Sequence, residues 1–305
     1  YTALSNEVQR LKADLTNEGY TAIITTVAPG TSTTSVWTHL NSVYQTTNWL
    51  VGALFIGDVA KIVYGGTYSD GYYWNMHQFQ TNAGAVGSHD IWVGRFTISG
   101  SELGAEADLI RYALDANHYY RTGQSRLPNK AYVHVGDDWG AGNPMDGDAQ
   151  AATEVNIAKQ VWTNAFVDSN ADGTLNGVNG SDLICQLSHG NHDYYTAGMS
   201  KESAHAGLVQ SRAMLCTSCG SGYPDGVVNH QLFSRGGGNL ISVGASIECN
   251  PASYTIFRDD LAHLPAGQQA AFRSLLAAGE IWGQAMLKRF PFPEYATPTR
   301  GRRAP

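Results

Sequence analysis

The chain has 305 residues, of which 43% are hydrophobic and only 15% charged, with a net charge of -7. That length supports one large α/β unit or two modest domains, and the acidic balance argues against a nucleic-acid partner, which usually needs a basic face. No run of about 18 apolar residues exists, so the sequence offers no helical membrane span.

In chain order, Val8, Leu11 and Leu15 recur on one face of a helix expected over 5–17, with Gly19 as its stop. Residues 22–27 (Ala-Ile-Ile-Thr-Thr-Val) read as a strand, and 33–44 as a second helix with Val36, Leu40 and Val43 in register. The apolar run from Trp49 to Ile56, ending in Gly57-Asp58, suits a strand buried on both faces of a parallel sheet. A short strand is expected at 90–96 and a long helix at 101–120. This alternation implies a parallel sheet with right-handed crossovers.

Residues 121–128 are polar, contain Gly and Pro, and read as a subdomain boundary. Beyond them the alternation restarts, with strands expected at 131–135, 183–187, 213–218 and 240–243 and helices at 149–162, 202–209, 227–233 and 268–289. The tail from Pro291 carries four prolines and a Gly-Arg-Arg cluster, and reads as an extended arm. The expected architecture is α/β: an N-terminal α/β subdomain over 1–125, a catalytic subdomain over 126–290, and a tail over 291–305.

Two of the apolar strands run into reactive residues. The strand at 183–187 leads to Ser188-His189-Gly190, and the strand at 213–218 leads to Cys219. Ligands of open α/β sheets sit beyond the carboxyl ends of the strands. If these two strands are neighbours, imidazole and thiol face one cleft and form a nucleophile pair. The histidine raises the thiolate fraction and later protonates a leaving amine. Gly190 has no Cβ, so its N–H can approach a carbonyl oxygen closely. With the N–H of Cys219 it would make an oxyanion hole worth ~3 kcal/mol per donor.

The ordered set of segments resembles the gingipain family, within the caspase-like clan of cysteine peptidases. The stretches that carry the resemblance are L-F-I-G-D at 54–58, S-D-G-Y-Y-W at 69–74, D-I-W-V-G-R-F at 90–96, N-G-S-D-L-I-C-Q-L-S-H-G at 179–190, M-L-C-T-S-C-G-S-G at 214–222, G-G-N-L-I-S-V-G-A-S at 237–246 and G-E-I-W-G-Q-A-M at 279–286. The resemblance spans about residues 5 to 290. It implies a caspase-like three-layer fold, with a mostly parallel sheet flanked by helices. It implies an endopeptidase acting on protein or peptide substrates, with His189 as general base and acid, Cys219 as nucleophile, and Gly190 and Cys219 lining the oxyanion hole; the 34 glycines and 16 tyrosines, with few lysines, suit a secreted or cell-surface protein. The Arg-type members carry two acids after the strand that precedes the histidine's strand, one supporting the histidine and one holding a basic P1 side chain. In V-G-D-D-W-G-A-G-N-P-M-D-G-D at 135–148, Asp138 is the nearest match to the first and Asp148 to the second, with Asp137 and Asp146 as alternates. Helix capping or calcium binding by these aspartates is an equal reading. The family's closing G-D-P-containing strand has no counterpart here.

Other readings compete at several points. Cys216 rivals Cys219, but it falls inside the expected strand, whereas Cys219 stands at its end with Gly222 following. The C-x-x-C spacing of the two also suits a redox pair or half a zinc site, yet no second C-x-x-C exists. Cys185 and Cys249 read as small apolar packing, and four cysteines are too few for a disulfide scaffold at this length. D-S-N-A-D-G at 168–173 resembles the start of a calcium loop, but its twelfth position is Asn179 rather than Glu, which favours a plain turn. The chemistry requires no cofactor, and structural calcium stays open without an assigned site. G-N-H-D at 190–193 matches a metallophosphoesterase fragment whose remaining metal ligands are missing. No G-x-S-x-G elbow follows a strand, which disfavours a serine hydrolase. The remaining histidines show no metal spacing. Residues 1–12 carry neither a basic n-region nor an apolar h-region, so the chain is either cytosolic or lost its signal peptide beforehand, and a start at Tyr1 favours processing or trimming. The rival functional class is a binding or scaffold protein on an inactive peptidase fold.

Overall fold

The computed structural model describes residues 2–47, 49–64, 67–68, 70, 73–77, 79, 90–97, 104–124, 131–135, 159, 166–168, 181–187, 211–217 and 241–244. Among them are the helices α1 (Ser5–Asn17), α2 (Thr33–Thr47) and α3 (Glu106–Arg121). The strands are β1 (Gly52–Ile56), β2 (Val63–Tyr64), β3 (Thr67–Tyr68), β4 (Trp92–Phe96), β5 (Ala131–Val135), β6 (Phe166–Asp168), β7 (Ser181–Leu187), β8 (Ser211–Thr217) and β9 (Ile241–Gly244). The chain divides into two compact units. One comprises Tyr1–Thr26, Ile56–Asp58 and Phe96–Leu264; the described part of the other lies within Val27–Phe55 and Val59–Arg95. The expected subdomain boundary near residue 125 and the tail from 291 fall outside the described residues. So do the helices expected at 202–209, 227–233 and 268–289, and all of 149–162 except Lys159, an exposed turn residue.

In the first unit, α1 forms where the apolar repeat places it. Val8 and Leu11 are buried with Leu4 from the turn before it, and Gly19, at φ 91°, takes the left-handed conformation that ends the helix. The third buried position is Asp14 rather than Leu15, because α1 meets α3 through charges as well as through apolar contacts. α3 buries Leu109, Ile110, Ala113 and Leu114. Glu106 and Asp108 sit in its first turn and His118 and Arg121 in its last, each sign suited to the helix dipole. Three ion pairs and one hydrogen bond line the seam: Glu7 pairs with Arg111 at 3.0 Å, Arg10 with Asp115 and Glu18 with Arg121, and His118 Nδ1 is hydrogen-bonded to Asp14 Oδ2 at 2.9 Å. Partner numbers rise together along both helices, so α1 and α3 run parallel. Mostly half-exposed, such pairs contribute on the order of 0–1 kcal/mol each.

In the second unit, Val36 of α2, Phe55 of β1, Ile62 and Tyr73 form a buried core, with Val27, Trp37, Leu40, Val59, Phe79 and Val93 against it. α2 outlasts its expected end at 44, running on to Thr47. Its start is held by Ser32, whose Oγ accepts the Ser35 N–H at 3.2 Å. In the β1–β4 pair, whose last residues Ile56 and Phe96 are assigned to the first unit, Trp92 N–H donates to Val51 O at 3.2 Å and Gly57 N–H to Phe96 O at 2.8 Å, an order that makes the pair parallel. Gly52 lies under the Trp92 indole: a Cβ there would fall 2.0 Å from Cε2. Two expectations over residues 20–56 change. Residues 20–28 belong to no strand and leave Ile23 60% exposed, because β-prone side chains form a strand only where a pleated, half-buried surface receives them. The run at 49–56 is not buried on both faces: Trp49 and Val51 are 74% and 41% exposed, the strand starts at Gly52, and only Phe55 within it is buried.

Arg95, with a side chain 11% exposed, holds this unit's loops together. Its guanidinium grips Asp70 at two points, Nε to Oδ2 at 2.8 Å and Nη2 to Oδ1 at 2.7 Å. It also donates to Val59 O and Ala60 O and stacks over the Phe55 ring at 5.0 Å. Tyr73 meets Phe55 edge-on and donates its hydroxyl to Ala60 O at 2.8 Å. Burial, with Asp70 nearby, pushes that hydroxyl's pKa up to about 12, so it remains a donor.

β5 to β9 form one sheet in the order β6-β5-β7-β8-β9, and each adjacent pair in it is parallel. β5 matches its expected bounds, while β7 and β8 each begin two residues earlier than expected, at Ser181 and Ser211. β6, beside β5, was not anticipated, since Phe-Val-Asp is too short to show a period.

Replacing Arg95 with Met strands Asp70 without its cation and is expected to cost about 3–5 kcal/mol in denaturant unfolding. The double variant Arg95→Met/Asp70→Leu is expected to recover much of that loss, and a double variant as unstable as the single one would contradict the clamp. Hydrogen bonding at its own backbone holds the Glu7 carboxyl below its ordinary value of 4.5; Arg111 adds to this and burial opposes it. Because folding lowers this pKa, its stabilisation is complete above pH 4.5 and is lost as the pH falls below it. The melting-temperature gap between wild type and Glu7→Gln is therefore expected to close on acidification through that range, and a pH-independent gap would refute the assignment.

Candidate active site

The strands that lead to the candidate residues are β5, β7 and β8. Val135, the last residue of β5, is in register with Leu187, the last of β7, and Leu187 is in register with Thr217, the last of β8. The three strands therefore end in one row, with neighbours about 4.8 Å apart as in any sheet. The chain goes from β5 outward to β6, returns past β5 to β7, and then continues outward through β8 and β9. Its direction across the sheet reverses between β5 and β7, and in open α/β sheets ligands sit beyond the strand ends at such a switch point.

The sequence attaches its candidate residues just beyond this row. His189 is the second residue after Leu187 and Gly190 the third; Cys219 is the second after Thr217; Asp138 is the third after Val135. These four, together with Asp137, Asp146 and Asp148, lie outside the described residues. What the structure brings together is the set of strands that lead to them, with the histidine's strand between the aspartate's strand and the cysteine's.

The competing positions fall as follows. Cys216 is inside β8, paired in register with Gln186 of β7 and Gly244 of β9. Cys185 is inside β7, paired with Val133 and Leu215. Asp168, the first residue of the calcium-like stretch, closes β6 in register with His134, and the rest of that stretch lies outside the described residues, as do Cys249 and G-N-H-D at 190–193. Among the described residues no three His, Cys, Asp or Glu side chains gather as a metal site would require.

The motif stretches of the first hundred residues have a structural explanation. Phe55 from L-F-I-G-D, Asp70 and Tyr73 from S-D-G-Y-Y-W, and Arg95 from D-I-W-V-G-R-F converge on the Arg95 clamp. Asp90, from the same third stretch, accepts the Met76 N–H at 2.8 Å and stands 3.4 Å from His77 Nε2, while Asn75 Oδ1 accepts the His77 N–H. Sequence reasoning missed both arrangements. Their signal was an acid and an arginine placed within otherwise apolar, aromatic-rich stretches.

No family model matches the chain, and no curated protein matches it. A solved structure described as "Structure of Protease" is similar in fold, with a TM-score of 0.53 and 13% sequence identity, over 71% of this chain and 50% of that one. This chain thus spans about half the length of that neighbour. At so low an identity the likeness is one of fold: a mixed α/β architecture that this chain has in common with a protease structure.

Proposed function

We propose that this chain is a secreted cysteine endopeptidase of the gingipain-like, caspase-fold kind, with Cys219 as nucleophile and His189 as general base and acid. The observation that carries the proposal is the parallel pairing of β7 with β8, register Leu187 with Thr217, because it makes neighbours of the two strands that run into the imidazole and the thiol. The likeness to a protease fold and the switch point between β5 and β7 support the same reading.

In this mechanism His189 takes the proton of Cys219, giving a thiolate and an imidazolium. The thiolate attacks the scissile carbonyl carbon, and the negative charge gathers on the carbonyl oxygen. The N–H groups of Gly190 and Cys219 hold that oxygen. Collapse of the tetrahedral intermediate breaks the C–N bond while imidazolium gives its proton to the leaving amine. Water, deprotonated by His189, then hydrolyses the acyl-thioester and restores the thiol. Asp138 steadies the imidazole and favours its charged form. Asp148, with Asp146 as alternate, receives a basic P1 side chain in this proposal. Protein groups carry every step, and calcium enters this proposal only as a structural ion.

Iodoacetamide at neutral pH is expected to alkylate Cys219 selectively, with the rate falling about ten-fold or more in His189→Ala. Equal, slow labelling of all four cysteines would instead favour an inactive peptidase fold used for binding. On a peptide library, Asp148→Ala is expected to lose cleavage after Arg and Lys. An unchanged profile would remove Asp148 from the specificity pocket.

A further inference from the structure

We draw no further inference here: the strongest candidate, the side-chain pair in which half-exposed His77 faces the buried Asp90 carboxylate, carries nothing because no third metal-ligating side chain joins it among the described residues and its hydrogen bonds already serve to close the turn at residues 75–77.

Discussion

The parallel ladder between β7 and β8 is the constraint on which the functional reading rests. Parallel strands in register deliver their carboxyl ends to the same edge of a sheet, so whatever follows Leu187 and Thr217 starts from paired positions. An antiparallel pair would have put the carboxyl ends of β7 and β8 at opposite edges of the sheet. Because β5 lies on the other side of β7, the acid-bearing stretch after Val135 starts from the same row. A reversal of chain direction at that point is what opens a crevice in a parallel sheet.

The two units use charge in different ways. The α1–α3 seam spreads its ion pairs along helix flanks that are largely half-exposed, where solvent screens each of them. The second unit instead buries one arginine among an aspartate, two carbonyls and an aromatic ring. A buried cation needs every one of those partners, since its desolvation is otherwise unbalanced. The second arrangement fixes the loop after β1 to the segment around Tyr73, and so explains why acid, aromatic and arginine recur in these stretches without invoking chemistry.

What could be read from the sequence followed from periodicity and length. α1 was legible because Val8 and Leu11 of its apolar repeat are buried, and β5 because its short apolar run has the bounds of the strand. Residues 22–27 and 49–51 were misread because apolarity states what can be buried, not what tertiary contacts cover, and Ile23, Trp49 and Val51 are exposed. β6 carried too few residues for a period. The Glu7–Arg111 and Asp14–His118 pairs, each 104 residues apart in the chain, have no local signature at all. For the candidate site, residue chemistry at the ends of apolar strands singled out His189 and Cys219. Whether their strands adjoin depends on sheet order, which a single sequence does not reveal and which the β5-β7-β8 arrangement supplies.

The most direct test of that adjacency is cross-linking with 1,3-dibromoacetone, which bridges a thiol to an imidazole only when the two stand side by side. Peptide mass spectrometry after treatment of the native chain should find one bridge joining Cys219 to His189. A bridge from Cys219 to a different histidine, or an adduct on Cys219 that never reaches His189, would contradict the account.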